Sequence, residues 1–348
     1  MRHALALATV LLAATAWAAD DYTIKVYPCP RLKSAPEIDG KLGDACWQEA
    51  PLVSGFTYYN KPALLEVQTS FRVGYDAQCL YFGVHCDEPN AEKLVPRHAG
   101  RDSGGVFRGE TIEVFLDPRH SQEDYFQLAV NLAGSLYDAH KHDAYWNGAA
   151  RRATRVVEGG WELELAVPWS DLGVEPRRGM VVGFNVCRDR YAGGSREWSN
   201  WAQTAANFHD PIRFAHLVLE PTEEELGELA GEFRKGDRRG PIIVYAPHGY
   251  ASKAYLAMAR EALAGLEKRL AALQAEAEKE LAAGAGQELR RCLEEARELV
   301  RPFRRRLEDA EPLDAAEWTR LSVQMSDVEA RLGTLIWEAR LTALLKQL

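Results

Sequence analysis

The chain has 348 residues, 51 Asp and Glu against 42 Lys and Arg, and a formal net charge of -9. That balance argues against a nucleic-acid partner, which would want a clustered basic face, and it offers no attraction to anionic lipid. It suits an uncharged ligand, and the length allows two domains with cores of their own.

Taken in chain order, residues 1–18 read as a signal peptide. Arg2 and His3 give a basic start, Ala4 to Trp17 an apolar stretch, and Ala16-Trp17-Ala18 a small-x-small cleavage signature. The apolar run is too short to span a hydrocarbon core of roughly 30 Å as a helix. No Cys follows the cleavage position, and no later segment reads as a membrane span. A soluble exported protein, periplasmic or extracellular, is therefore expected.

Residues 22–221 alternate with period two and are punctuated by turns. Val67, Thr69, Phe71, Val73 and Tyr75 share one face, and Leu80, Phe82, Val84 and Cys86 repeat the pattern after an Asp76-Ala-Gln turn. Further strands are expected at Thr111–Leu116, Tyr125–Asn131, Trp161–Val167, Val181–Arg188 and Phe214–Leu219. Asp117-Pro118, Glu158-Gly-Gly160 and Ala192-Gly-Gly194 supply turns between them. Many short strands without intervening helices predict an antiparallel β-sandwich.

The character changes after Pro221. Thr222-Glu-Glu-Glu225 opens a short helix, with a linker to Ser252 that includes the apolar run Ile242-Ile-Val-Tyr245. Residues 253–348 then carry three apolar stripes at helical spacing. They are Leu256, Leu263, Leu266, Leu270, Leu273 and Ala277; Leu289, Leu293, Ala296, Val300, Phe303 and Leu307; and Trp318, Leu321, Met325, Val328, Leu332 and Leu335. An all-α tail follows, either an antiparallel hairpin or three-helix bundle or a coiled coil pairing with another subunit.

Six cysteines, Cys29, Cys46, Cys79, Cys86, Cys187 and Cys292, do not make a disulfide scaffold in a chain this long. Cys79 and Cys86 are an odd number of residues apart in one strand, on opposite faces, and cannot bridge without a bend. A pairing of Cys29 with Cys46 stays open.

Catalysis finds little support. Glu110 and Glu113 are three apart in one strand and face opposite sides, which spoils a glycosidase pair. Glu162 and Glu164 sit on the polar alternation opposite Trp161, Leu163 and Leu165. No Gly-x-Ser-x-Gly elbow, phosphate loop or two-Cys zinc spacing occurs in the sequence. His140-Lys-His-Asp143 could place two imidazoles on one strand face for a metal, or form a solvated loop near Tyr145-Trp146.

Six segments, in order, carry a resemblance. They are Ile38-Asp-Gly-Lys-Leu-Gly-Asp-Ala-Cys-Trp47; Tyr75-Asp76 with Leu80 to Asp87; Glu110-Thr-Ile-Glu-Val-Phe-Leu-Asp-Pro118; Tyr125 to Asn131 with Gly134; Gly160 to Trp169; and Gly183-Phe-Asn185 with Trp198 to Thr204 and His209-Asp-Pro211. Together they resemble family 9 carbohydrate-binding modules and their relatives in exported bacterial proteins, over Glu37 to Leu219. The resemblance implies a non-catalytic β-sandwich whose aromatic side chains grip a sugar at a chain end. Stacking uses the C–H face of the pyranose against an electron-rich ring, and polar groups partner the hydroxyls.

Matched residue by residue, the resemblance implies Trp201 and Trp198 as aromatic contacts, Phe107 as the opposing aromatic, and Glu113, Asn131 and Gln127 as polar contacts. Calcium in a structural role is implied too, with Asp39, Asp44, Asp87, Glu88 and Asp117 as partial donors. One departure is Ala129, where binding members carry Arg beside the Asn, which removes a bidentate donor. Structural roles compete at each position. Trp47, Trp161 and Trp169 read as core, Glu113 could pair with Arg188 or Arg190, and Asn131 could cap the turn before Gly134. Distant relatives hold haem, which here would need Met180 with His140 or His216. A structural or interaction protein with a decayed sugar site, acting through its tail by a protein partner or self-association, is the other reading.

Overall fold

In a computed structural model of the chain, residues 24–61, 63–222, 224–226, 242–244, 253–308 and 315–345 are described. The leader and most of the 222–252 linker lie outside them.

Two sheets face each other. The larger runs β13(Ile242–Val244), β1(Ile24–Cys29), β12(Ala215–Leu219), β10(Val181–Arg190), β5(Thr111–Asp117), β6(Phe126–Asn131) and β7(Leu136–His140), with β11(Glu197–Asn200) on β10 and β2(Thr57–Tyr58) on β11. The smaller is β3(Thr69–Tyr75), β4(Cys79–Asp87), β9(Gly160–Pro168) and β8(Arg151–Val157). The pairings are antiparallel except around β1, which lies parallel to β12 and to β13. Ile242 to Val244, in the expected linker, is thus a strand of the sandwich.

The period-two alternation explains the layering. Phe82, Val84, Trp161, Leu163 and Leu165 of the smaller sheet meet Ile112, Val114, Leu128, Val130, Phe184 and Val186 of the larger in one core. The outer face of the smaller sheet is covered by residues around Trp47, with Cys46, Cys79, Tyr81 and Leu32 in a second cluster. Cys79 and Cys86 fall in different clusters, as their odd spacing requires, and Cys29 and Cys46 are likewise apart. All six thiols are free and buried. A third cluster, Phe115, Tyr125, Cys187 and Phe214, lies on the outer face of the larger sheet.

Glu164 reaches outward from β9 but is buried. It accepts hydrogen bonds from the Asp39 and Gly40 amides at 3.0 and 2.9 Å and from the Trp47 indole N–H at 3.0 Å. Its work is to pin the 37–47 segment, so Trp47 is core.

The tail folds as three helices, α1(Lys253–Ala282), α2(Gln287–Glu308) and α3(Ala315–Leu345). Of the expected stripes, Leu270, Ala277, Leu289, Leu293, Ala296, Val328 and Leu332 are buried against one another, joined by Ile336. Ion pairs lace the seams: Arg269 with Glu329 at 2.6 Å, Arg331 with Glu295 at 2.8 Å and Arg340 with Glu280 at 2.8 Å. These contacts run α3 parallel to α1, the geometry of a three-helix bundle. Leu256, Leu263, Leu266, Phe303, Leu307, Trp318, Leu321 and Met325 lie outside the described side chains.

Candidate functional site

The outer face of the larger sheet carries a cleft of about 470 Å³. Register builds its floor: Asn200, Cys187, Glu113, Ala129 and Tyr137 lie in one row across β11, β10, β5, β6 and β7. Gln127, two residues before Ala129, shares its face. Trp198, two residues before Asn200 on β11 and so on the same face, and Tyr137 of β7 stand on opposite flanks, four strands apart at about 4.8 Å each.

One flank is Trp198 with Tyr59, in edge contact at 5.5 Å, and Tyr59 in turn meets Phe208 at 6.2 Å. The other is Phe107 against Tyr137 at 4.9 Å. Both flanks are braced from below. Gly194, at a φ of +90°, closes the turn between β10 and β11, where a side chain would be strained. Glu110 then accepts from the Tyr191 and Ala192 amides at 2.6 and 2.8 Å, and the Tyr191 hydroxyl donates to the Phe107 carbonyl at 2.7 Å. Arg101 clasps buried Asp138 of β7 with contacts of 2.8 and 2.7 Å, tying the loop before β5 to the sheet edge.

Electrostatically the cleft is close to neutral at pH 7. Burial, and then the charge of Asp189, push the Glu113 carboxyl up to about 8. It is therefore largely an uncharged acid at neutral pH, with Gln127 donating to its Oε2 at 2.6 Å. Burial also raises Asp189 to about 6, opposed by Arg196 at 3.2 Å. His209 is depressed to about 4 by burial and by neighbouring His142, so its ring is neutral and bonds the Tyr125 hydroxyl at 2.9 Å.

The cleft brings together four of the expected residues, Trp198, Phe107, Glu113 and Gln127. Trp201 is elsewhere: it is wholly buried, packed on Phe71 and Phe184 at 5.1 and 5.4 Å, with its indole N–H on the Ser54 carbonyl at 3.2 Å. Three residues after Trp198, it points to the opposite side of the sheet. Asn131 is also withdrawn. Its side chain accepts from the Ala133 and Ser135 amides and donates to the Arg97 carbonyl at 2.8 Å, so it caps the turn and holds the loop. Glu113 pairs with neither expected arginine, because Arg188 and Arg190 bind Glu110 and Glu88.

Tyr59, Tyr137, His142, Arg196, Ala206, Asn207, Phe208 and His209 complete the lining without having been expected there. Tyr137 could have been found from its place opposite Ala129. The others come from turns or strand ends, where no periodicity marks them.

The carboxylates offered to calcium are dispersed. Asp44 accepts from the Glu37 amide at 2.8 Å, Asp117 from the Gln122 amide at 2.6 Å and Glu88 from Arg190 at 2.7 Å; Asp39 holds Lys41 and Asp87 faces His85. As placed, these five side chains do not form one calcium cradle. Among the described residues no three His, Cys, Asp or Glu side chains converge as metal ligands. Nor are the haem candidates free: His140 bonds Asp124 at 2.6 Å and His216 bonds His120 at 2.6 Å.

A two-sheet sandwich with an aromatic-flanked, nearly neutral cleft on one outer face defines a module built to hold a ligand. The carbohydrate family 9 binding domain-like model matches residues 38–222, more than half of the sequence, and the chain belongs to that family. It is a family of non-catalytic carbohydrate-binding modules, which makes the sandwich a binding module and not an enzyme. Among solved structures, a family 9 module of Caldicellulosiruptor kristjanssonii, seen with cellotriose and with glucose, is 18% identical. The match covers 57% of this chain and 94% and 96% of those two chains, with a TM-score of 0.44 in each case. A protein of Bacteroides uniformis ATCC 8492 with a carbohydrate-binding name is 17% identical over 58% of this chain and 99% of its own, with a TM-score of 0.45. No curated protein matches.

Proposed function

We propose that this protein is exported and that its cleft binds a neutral carbohydrate, a glycan or a sugar chain end, without chemistry. The observation that carries the reading is the pairing of aromatic flanks, Trp198 with Tyr59 and Phe107 with Tyr137, across a floor of Glu113 and Gln127. Ring faces suit sugar C–H groups, and an uncharged Glu113 can donate to one hydroxyl while Gln127 serves another. Affinity is expected to be modest, because each stacked ring adds only about 0.5–1.5 kcal/mol beyond area burial.

Calorimetry with glucose, cellotriose and xylo-oligosaccharides tests this. Trp198→Ala is expected to weaken binding at least about tenfold, the scale of a buried aromatic anchor. Unchanged affinity in that variant, or no binding across the panel by the native protein, overturns the reading.

The tail is proposed as the element that docks or self-associates. Trp337, Leu341, Leu344 and Leu345 are exposed at helical spacing on the last turns of α3, away from the buried Val328, Leu332 and Ile336. Light scattering of the full chain is expected to show a species larger than a monomer, reduced by Leu341→Glu. A monomeric native protein would remove self-association from the tail's role.

A further inference from the structure

Arg196 lies over the Trp198 ring, where it competes with stacking on the indole. Its guanidinium carbon lies 4.2 Å from the Trp198 ring centroid, and both residues line the cleft. Tyr59 already takes an edge contact with the same indole. A sugar ring that stacks on the indole face beneath the guanidinium has to displace Arg196. Tyr59 is wedged between Trp198 and Phe208. Arg196 is a long side chain, 41% exposed, whose only protein hydrogen bond among the described residues is Nη2 to Asp189 Oδ2 at 3.2 Å.

The parked position is built. Asp189 is buried on β10 directly across from Trp198, whose indole also acts on its carboxyl, and among the described residues its Oδ1 has no hydrogen-bond partner of good geometry. Its Oδ2 faces the guanidinium at 3.2 Å. Tyr191 adds a second ring beneath it, 5.6 Å from the guanidinium carbon, and the Tyr191 hydroxyl is bonded to the Phe107 carbonyl. One cation is held among an acid and two rings, over the surface that a sugar would use.

We propose that Arg196 is a latch: in the sugar-free protein it caps the Trp198 ring, Asp189 holds it there, and ligand binding must swing it aside. Asp189 is then a positioning residue that sets affinity without touching the ligand. The proposal rests on the sugar-binding reading of the cleft. A capping contact of this kind at a half-exposed site corresponds to about 2- to 5-fold in affinity.

The probe is cellotriose, titrated calorimetrically into the native protein, Arg196→Ala and Arg196→Gln, the last keeping a polar partner for Asp189 should the alanine variant fold poorly. Tighter binding by about 2- to 5-fold in either variant is expected. Weaker binding would make Arg196 a direct ligand donor and overturn the latch. A second readout needs no sugar. Acrylamide quenching of the Trp198 emission, taken as the difference between each protein and its Trp198→Phe counterpart, is expected to rise when Arg196 is removed. Unchanged quenching overturns the latch even if no variant binds cellotriose, whereas absent binding with increased quenching upholds the latch and rejects cellotriose as the ligand.

Discussion

Trp201→Ala is expected to cost about 3–5 kcal/mol of stability, the range for removing a large buried aromatic. The indole is wholly buried between the sheets, edge-on to Phe71 and tilted on Phe184, and its backbone amide bonds the Val186 carbonyl at 2.9 Å. Its N–H would vanish with the ring and leave the Ser54 carbonyl without that donor. Urea denaturation checks the magnitude. Trp201→Phe fills most of the volume and should fold with cellotriose affinity close to native, whereas Trp198→Ala should keep the native urea midpoint and lose the sugar. A folded Trp201→Ala with an unchanged midpoint but no binding would return Trp201 to the ligand.

The two tryptophans show how far the sequence is legible. Segments with one buried and one polar face, such as Thr111–Leu116 and Trp161–Val167, announce themselves by alternation, and with them the face on which Glu113 and Gln127 lie. The same alternation separates Trp198 from Trp201, since an odd spacing reverses the face. What blurred that inference is the end of β11 at Asn200, so that Trp201 follows the strand and does not sit within a longer pattern. Strand β8 is hidden for the opposite reason. Arg151 to Val157 forms an edge with no buried position, so no apolar alternation exists to be read. In β1 all six residues are buried, including Lys25, and period two disappears again.

The rest of the site is nonlocal. Tyr59, Arg196, Phe208 and His209 are brought to the cleft by turns whose conformation depends on partners far away in sequence, as with Glu110 on the Tyr191 amide. The guanidinium lost at Ala129 was legible from resemblance. Another in the same cleft, Arg196 over Trp198, depends on the closure of a Gly-Gly turn and on a buried aspartate, and neither fact has a sequence signature.

Lys25→Met is expected to stabilise the sandwich at neutral pH. Lys25 lies in β1 with two per cent of its surface exposed; among the described residues its ammonium donates only to the Trp201 carbonyl, and it lies 4.8 Å from the indole centroid. Burial lowers its pKa from 10.5 to about 7. In the unfolded chain the amine stays protonated to about 10.5, so between these values the unfolded state binds the extra proton, and native stability rises with pH across that window. A displacement of this size corresponds to stabilisation on the order of 5 kcal/mol, absent at and below pH 7 and complete near 10.5. Methionine has no proton to lose, but it removes the Lys25 donor from the Trp201 carbonyl, at a cost of about 1–3 kcal/mol. The variant should therefore exceed the native protein by about 2–4 kcal/mol at pH 7. The gap should shrink and then reverse toward pH 10. Burial also raises Cys29, Cys187 and Tyr27, whose ionisation in the unfolded chain lowers stability over the same alkaline range. Those groups are common to both proteins, so the difference in urea midpoints at each pH isolates Lys25. A gap that stays constant from pH 7 to pH 10 would mean that Lys25 does not change its protonation on folding.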